Sequence, residues 1–164
     1  MKLQIMTKPD QDALYATLES MPNFLDNAFG GLSSTEASRS LSTDSFSPVE
    51  HCWHLADLEC EAFTVRIRRL LEESNPWLQD FDGTRVAEER QYKQRSLSAG
   101  IAAFRQARLN NRGLLQTVPP DSWTRQGEQE GVGIVMLCDI PAMMAEHDAT
   151  HRVEIDKWLR TGRG

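Results

Sequence analysis

The sequence predicts an all-α protein, a four-helix bundle with long crossover connections. Three observations predict it. Four long segments repeat apolar residues at helical spacing. No segment alternates apolar and polar residues convincingly enough for a half-buried strand. A connection rich in Ser, Thr and Gly separates the first two helical segments. The chain has 164 residues, enough for one hydrophobic core, and residues 1–164 read as a single helical-bundle domain.

The first helix runs from about Pro9 to Phe29, with Leu14, Leu18, Met21 and Leu25 on one face. Pro22 falls inside it, where a kink or break is expected. "GGLSSTEASRSLSTDSFSP" follows without apolar periodicity and reads as a long connection. The second helix opens at "SPVEH": Ser47 as N-cap, Pro48 at the first helical position, Glu50 completing a capping box. It continues to about Ser74, and Asn75-Pro76 stops it. "WLQDFDGTRVAEERQY" is mixed, with a turn at Asp82-Gly83 and room for a short helix. The third helix covers about Ser96 to Val118, with Ile101, Phe104, Ala107, Leu114 and Leu115 inward. "TRQGEQEGVG" can hold a turn or a short extended piece, and the fourth helix spans about Val132 to Arg160. Pro141 kinks that helix or marks a late start. No internal repeat is visible.

Composition excludes several classes. The formal charge is -6, and the 18 basic residues are scattered among acids, which argues against a nucleic-acid partner. No segment reaches the roughly 18 apolar residues of a membrane span, and "MKLQIMTKPDQ" lacks a leader-peptide pattern. A cytoplasmic protein is expected. Cys52, Cys60 and Cys138 are odd in number and lack CxxC spacing, so they read as small buried side chains.

All four histidines fall into two helical pairs: His51 and His54 in "EHCWH", His147 and His151 in "EHDATH". Residues three or four apart share a helix face. The row of His147 and His151 also carries Ile140, Met143, Met144, Ile155 and Trp158, so it should point inward. The row near His54 mixes Glu50, Asp57 and Glu61 with Leu58 and Val65. Carboxylates on a half-buried face call for a metal or a wet pocket. A lone HxxxH is commonly just a solvated pair. HExxH is absent, and so are the Glu-x-x-His pairs of a di-iron bundle.

"SPVEHCWHLADLE" followed far downstream by "HDATHRVEI" resembles the DinB/YfiT-like family of metalloenzymes, with "PPDSWTRQGEQEGVG" similar to that family's link into its last helix. The resemblance covers Pro9 to Leu159. It implies a four-helix bundle with one divalent metal ion on His54, His147 and His151, with no fixed role for His51. Glu154 stands where such proteins often carry Gln. The resemblance also implies a homodimer and a small-molecule substrate, with hydrolase, transferase and isomerase activities among relatives.

Three imidazoles would leave a coordination position open, as in a catalytic rather than a structural site, and zinc or nickel suit imidazole. Two reactions follow: metal-dependent hydrolysis, or transfer of a low-molecular-weight thiol. The alternative is a non-catalytic metal- or ligand-binding bundle. Glu50, Glu61 and Glu146 are candidate bases, and spacing singles out none. Asp57 and Asp148 are candidates to accept a ring N–H from a ligand histidine, with an intrabundle hydrogen bond the plain reading for Asp57 and a solvent-facing or helix-end contact for Asp148. Trp53, Trp77, Trp123 and Trp158 read as core, and Arg66, Arg68 and Arg69 as a solvated face.

Overall fold

The computed structural model describes residues 6–162, so the leader-peptide reading falls partly outside it. Helix α1 spans Lys8–Phe29, with Thr7 as N-cap and Pro9 in the first turn. It buries Leu18, Met21, Leu25 and Phe29. The Ser-rich connection contains one short helix, α2, Ser34–Ala37. Helix α3 spans Pro48–Leu58 and runs through a π-turn, Glu59–Phe63, into α4, Thr64–Glu72. At its start Ser47 N–H and Oγ both donate to Glu50 Oε2, each at 2.8 Å. Asn75, at φ 48, then turns the chain. Helix α5, Gly83–Glu89, precedes α6, Leu97–Gln116, and the last helix is α7, Ile140–Thr161.

The short extended piece that the sequence allows in "TRQGEQEGVG" is a strand, Gln126–Gln129, and it belongs to a small three-stranded sheet that the sequence reading does not assemble. Strand β1, Trp77–Leu78, pairs in parallel with β2, Gln126–Gln129, which pairs antiparallel with β3, Gly133–Met136. The chain turns between β2 and β3 at Gly131 (φ 74) and Gly133 (φ 97), a backbone region that favours glycine. The fourth long helix therefore begins at Ile140, not Val132. Periodicity misleads here because β2 is polar and Ile134 faces solvent, so no apolar alternation marks the strands. Trp77, Glu128 and Ile134 share the sheet's exposed face, so Trp77 is not core, whereas Trp158 is.

Pro22 does not break α1. A helical proline leaves the carbonyl four residues earlier without its donor. That carbonyl belongs to Leu18, and Arg108 Nη1 donates to it at 2.7 Å. Arg108 also donates from Nε and Nη2 to Glu59 (2.9 and 3.2 Å), and from Nη1 and Nη2 to Asp148 (2.7 and 2.9 Å). These bonds match a guanidinium's full set of five N–H donors. Asn111 Nδ2 donates to both the Glu59 carboxylate and its carbonyl. Burial works against the Arg108 charge, but the bonds to Asp148 and Glu59 outweigh it and hold its pKa above the usual range. Asp148 is thus 1% exposed and paired, correcting its reading as a solvent-facing residue. Its helix position faces α6 rather than water.

Two further expectations fail. Cys52 and Cys138 are buried, but Cys60 is exposed. It lies in the π-turn, whose extra residue resets the inward face so that Glu59 points in instead. Arg66 is buried rather than solvated, with Nη2 donating to the Gln79 carbonyl at 3.1 Å. It sits on the buried face with Ile67 and Leu70, while Arg68 remains exposed.

Among the described residues the core forms two large clusters and a small third one of Val86, Ala87 and Tyr92. One large cluster gathers Leu18, Phe63, Ile67, Leu115 and Met144; the other Met21, Phe29, Leu55, Phe104, Ile155 and Trp158. Arg108 bonds Leu18 of the first and lies over the Phe104 ring of the second at 4.7 Å. Removing it strands the buried Asp148 carboxylate and leaves Glu59 with Asn111 as its remaining side-chain donor. Arg108→Met should destabilise the fold by about 3–5 kcal/mol, read from denaturant midpoints. A loss below 1 kcal/mol would show that the network does not hold the helices.

Candidate metal centre

The two histidine pairs meet. His51 and His54 project from α3, His147 and His151 from α7, and His54, His147 and His151 each bring one ring nitrogen within 4.8 Å of the others. His54 Nε2 lies 3.4 Å from His147 Nε2, and His147 Nε2 lies 3.2 Å from His151 Nε2. His51 stands behind His151, its Nδ1 2.8 Å from the Nδ1 of that ring. The fourth histidine therefore belongs to the constellation, although its sequence position gave it no role.

Apolar rings enclose the cluster. Phe46, from the Ser-rich connection, has its centroid 5.1 Å from His54, 5.6 Å from His51 and 6.4 Å from His151. Phe81 lies 6.1 Å from His54, and Phe63 lies 6.4 Å from His147. Neither Phe46 nor Phe81 carries a periodic signal, because both sit in connections. His51, His54 and His151 are 2%, 7% and 6% exposed. Desolvation pushes the pKa of His51 and His54 down to about 3 and that of His151 lower still, and each ring further discourages charge on its neighbours. Burial also lowers His147, with the Asp148 carboxylate opposing it. The cluster is therefore neutral at physiological pH, the state in which imidazole binds metal.

Gly83 backs His54. A Cβ on Gly83 would lie 2.5 Å from His54 Cε1 and 2.7 Å from Nδ1, closer than real contacts allow. The sequence marks Gly83 only as a turn residue. Asp82 caps α5 there by accepting from Arg85 N–H at 3.0 Å, so glycine opens the helix against the ring.

The carboxylates sort differently from expectation. Asp57 accepts from Arg90 at 2.6 Å and from the Tyr92 hydroxyl. It therefore makes the intrabundle bonds of the plain reading. Glu61 pairs with the same Arg90, Glu50 caps α3, and Glu146 is exposed. Glu154 comes nearest the rings, its Oε2 3.6 Å from His151 Nδ1 and 3.9 Å from His51 Nε2. A cavity of 680 Å³ opens there, bordered by Leu41, Phe46, His51, Thr84, His151 and Glu154. A larger one, 910 Å³ beside Phe29, Lys93 and Arg105, touches no histidine. The smaller is the one relevant to chemistry.

A helical bundle that brings three neutral imidazoles this close together has a donor set that could hold one metal ion, with His151 bordering the cavity. The chain belongs to the DinB superfamily, whose family model matches residues 17–155. Its fold is similar to that of YfiT from Bacillus subtilis, described as a probable metal-dependent hydrolase with an unusual four-helix bundle topology. The TM-score is 0.84 at 19% identity, over 94% of this chain and 89% of that one. No curated protein matches the chain. Among the described residues no helix is long and apolar enough to cross a membrane.

Two outcomes follow from this geometry. The unfolded chain binds protons on His51 and His54 below their ordinary pKa of 6.5, while the folded metal-free chain does not until about pH 3. Stability contributed by their neutral burial is full above pH 6.5 and falls as pH drops through that window, by roughly 1 kcal/mol per pH unit for each ring. His54→Gln cannot titrate, so urea midpoints against pH should give it a shallower slope than the parent. Gly83→Ala should displace the His54 ring and weaken metal uptake on the order of tenfold, the lower range for a lost ligand support. Chelator competition measures this, and parental affinity would show that the ring tolerates the Cβ.

Proposed function

We propose that the protein is a divalent-metal-dependent hydrolase acting on a small molecule, with His54, His147 and His151 holding the ion. The observation that carries this is the meeting of three Nε2 atoms. A tetrahedral ion with nitrogen ligands at 2.0–2.1 Å places those nitrogens about 3.3 Å apart, and the observed spacings are 3.4 and 3.2 Å. Hydrogen bonds alone serve the trio poorly. His147 Nε2 faces two other ring nitrogens, and a neutral ring offers only one proton there or none. One cation satisfies all three lone pairs. The donor set is all imidazole, which suits zinc or nickel.

Such an ion, when bound, supplies Lewis-acid activation of a water or a thiol at neutral pH. The chain's own residues do the rest. His54, His147 and His151 stay uncharged and keep their lone pairs available. Phe46, Phe63 and Phe81 exclude bulk water from the rings and strengthen electrostatic interactions among them. Glu154 lies at the cavity, where desolvation raises its pKa above the ordinary carboxylate value. The cavity's volume suits a small organic substrate. The description of YfiT supports the hydrolytic reading.

Metal analysis of untagged protein should give one ion per chain. His54→Ala, His147→Ala and His151→Ala should each lose most of it and abolish turnover. Hydrolysis of activated esters and amides by zinc- or nickel-loaded protein tests the activity directly. Turnover of electrophilic substrates only when a low-molecular-weight thiol is present would replace hydrolysis by thiol transfer. Uptake without either activity would make the bundle a metal-binding module.

A further inference from the structure

We propose that His51 is a positioning residue of the histidine centre: its Nδ1 accepts the Nδ1–H of His151 and fixes that ring in the tautomer whose Nε2 lone pair is free for a cation. This rests on the metal reading above and extends it to a residue outside the ligand trio.

The polarity of the contact follows from the geometry. His151 presents Nε2 toward His147 and Nδ1 toward His51. If Nε2 gives its lone pair to an ion, the ring's proton must reside on Nδ1. The partner 2.8 Å away is then an acceptor, so the His51 Nδ1 carries no proton. The proton of His51 must lie on Nε2, and the acceptor facing that atom is Glu154 Oε2 at 3.9 Å. A carboxylate there stabilises the N–H dipole of His51 and disfavours its other tautomer. The same Oε2 lies 3.6 Å from His151 Nδ1, so the carboxylate also favours a proton on that nitrogen directly, while His51 Nδ1 at 2.8 Å is its hydrogen-bond acceptor.

The remaining surroundings fit. His51 is 2% exposed, and Phe46 packs edge-on against its ring, so water competes little for the Nδ1 pair. The two rings stand at 87° with centroids 5.0 Å apart, an edge approach rather than a stack. His54 differs: its Nδ1 is buried without a hydrogen-bond partner, and the ring is held by Gly83, Phe46 and Phe81. The trio is thus asymmetric, with His151 held by a directional bond and His54 by shape. A direct ligand role for His51 fits less well, because 2.8 Å is a hydrogen-bond length and shorter than the roughly 3.3 Å edge of a tetrahedral nitrogen site.

The test compares the full-length parent with three variants, each metal-stripped and reloaded. His51→Asn places an oxygen near the original Nδ1 and keeps the acceptor. His51→Gln moves the oxygen toward the original Nε2, and His51→Ala removes it. Zinc affinity is read by competition with a chromophoric chelator, stoichiometry by elemental analysis, and ligand geometry by the visible spectrum of the cobalt form. The parent and all variants should bind one ion. His51→Ala and His51→Gln should bind it about 10- to 100-fold more weakly, with shifted cobalt bands. His51→Asn should recover most of the affinity and the parental spectrum. The thermal gap between loaded and stripped protein should shrink in His51→Ala, whereas a purely structural role would lower both midpoints together.

Parental affinity in every variant overturns the proposal. So does equal weakening in His51→Asn and His51→Ala, which would make the role one of packing. Complete loss of the ion from His51→Ala and His51→Asn would make His51 a ligand. A second ion in the parent, lost on substitution, would make His51 and Glu154 a site of their own. If His51→Ala does not fold, the contrast between His51→Asn and His51→Gln decides. A parent that binds no ion overturns the metal reading itself, and the role of His51 with it.

Discussion

The buried guanidinium of Arg108 is the constraint on which the arrangement depends. It joins the Leu18 carbonyl of α1, the Glu59 carboxylate in the π-turn and the Asp148 carboxylate of α7 to α6. A buried charge of this kind tolerates little displacement, because each lost bond leaves a desolvated partner. It therefore sets the register of α7 against the rest of the bundle. Asp148 adjoins His147, so the same register that seats the carboxylate on Arg108 turns His147 and His151 toward α3. Packing of Met144 and Ile155 supports that face without directional preference. Hydrophobic contact brings the helices together, and the ionic network chooses how they are rotated.

The π-turn belongs to the same device. Its extra residue lets Glu59 face Arg108 while His51 and His54, a turn or two earlier, face α7. Its carbonyl also accepts from the Thr64 hydroxyl at 2.8 Å and from Asn111 at 3.1 Å. Such turns occur mostly as single π-bulges inside α-helices, frequently at functional sites.

The imidazole centre draws on opposed requirements. Metal binding needs unprotonated rings, and burial supplies them by disfavouring charge. Burial also closes access, and here the Ser-rich connection resolves the conflict. It carries Phe46 onto one side of the rings and leaves the cavity beside Glu154 and Thr84. A connection without periodicity thus shapes the site as much as the helices do.

Much of this was legible in the sequence. Long runs with apolar residues three and four apart had to bury one face, and the Ser47–Glu50 cap, the Asn75-Pro76 stop and the first-turn prolines fixed helix ends by local chemistry. The histidine pairs advertised themselves by spacing, and the family resemblance selected His54, His147 and His151. Other features had no local signature. Arg108 and Asp148 look like surface residues in sequence, because only packing reveals that their charges face one another. Gly83 reads as a turn because its close approach to His54 involves a residue distant in the chain. A short extended piece was legible where β2 lies, but the sheet was not, because β2 is polar, Ile134 faces solvent and the pairing with β1 joins distant segments. Local periodicity determined which segments are helical and which faces are apolar, since both follow from neighbours three or four residues away. Only the tertiary structure decided which polar groups meet, because that depends on the relative rotation of helices, and rotation is set by contacts between residues far apart in sequence.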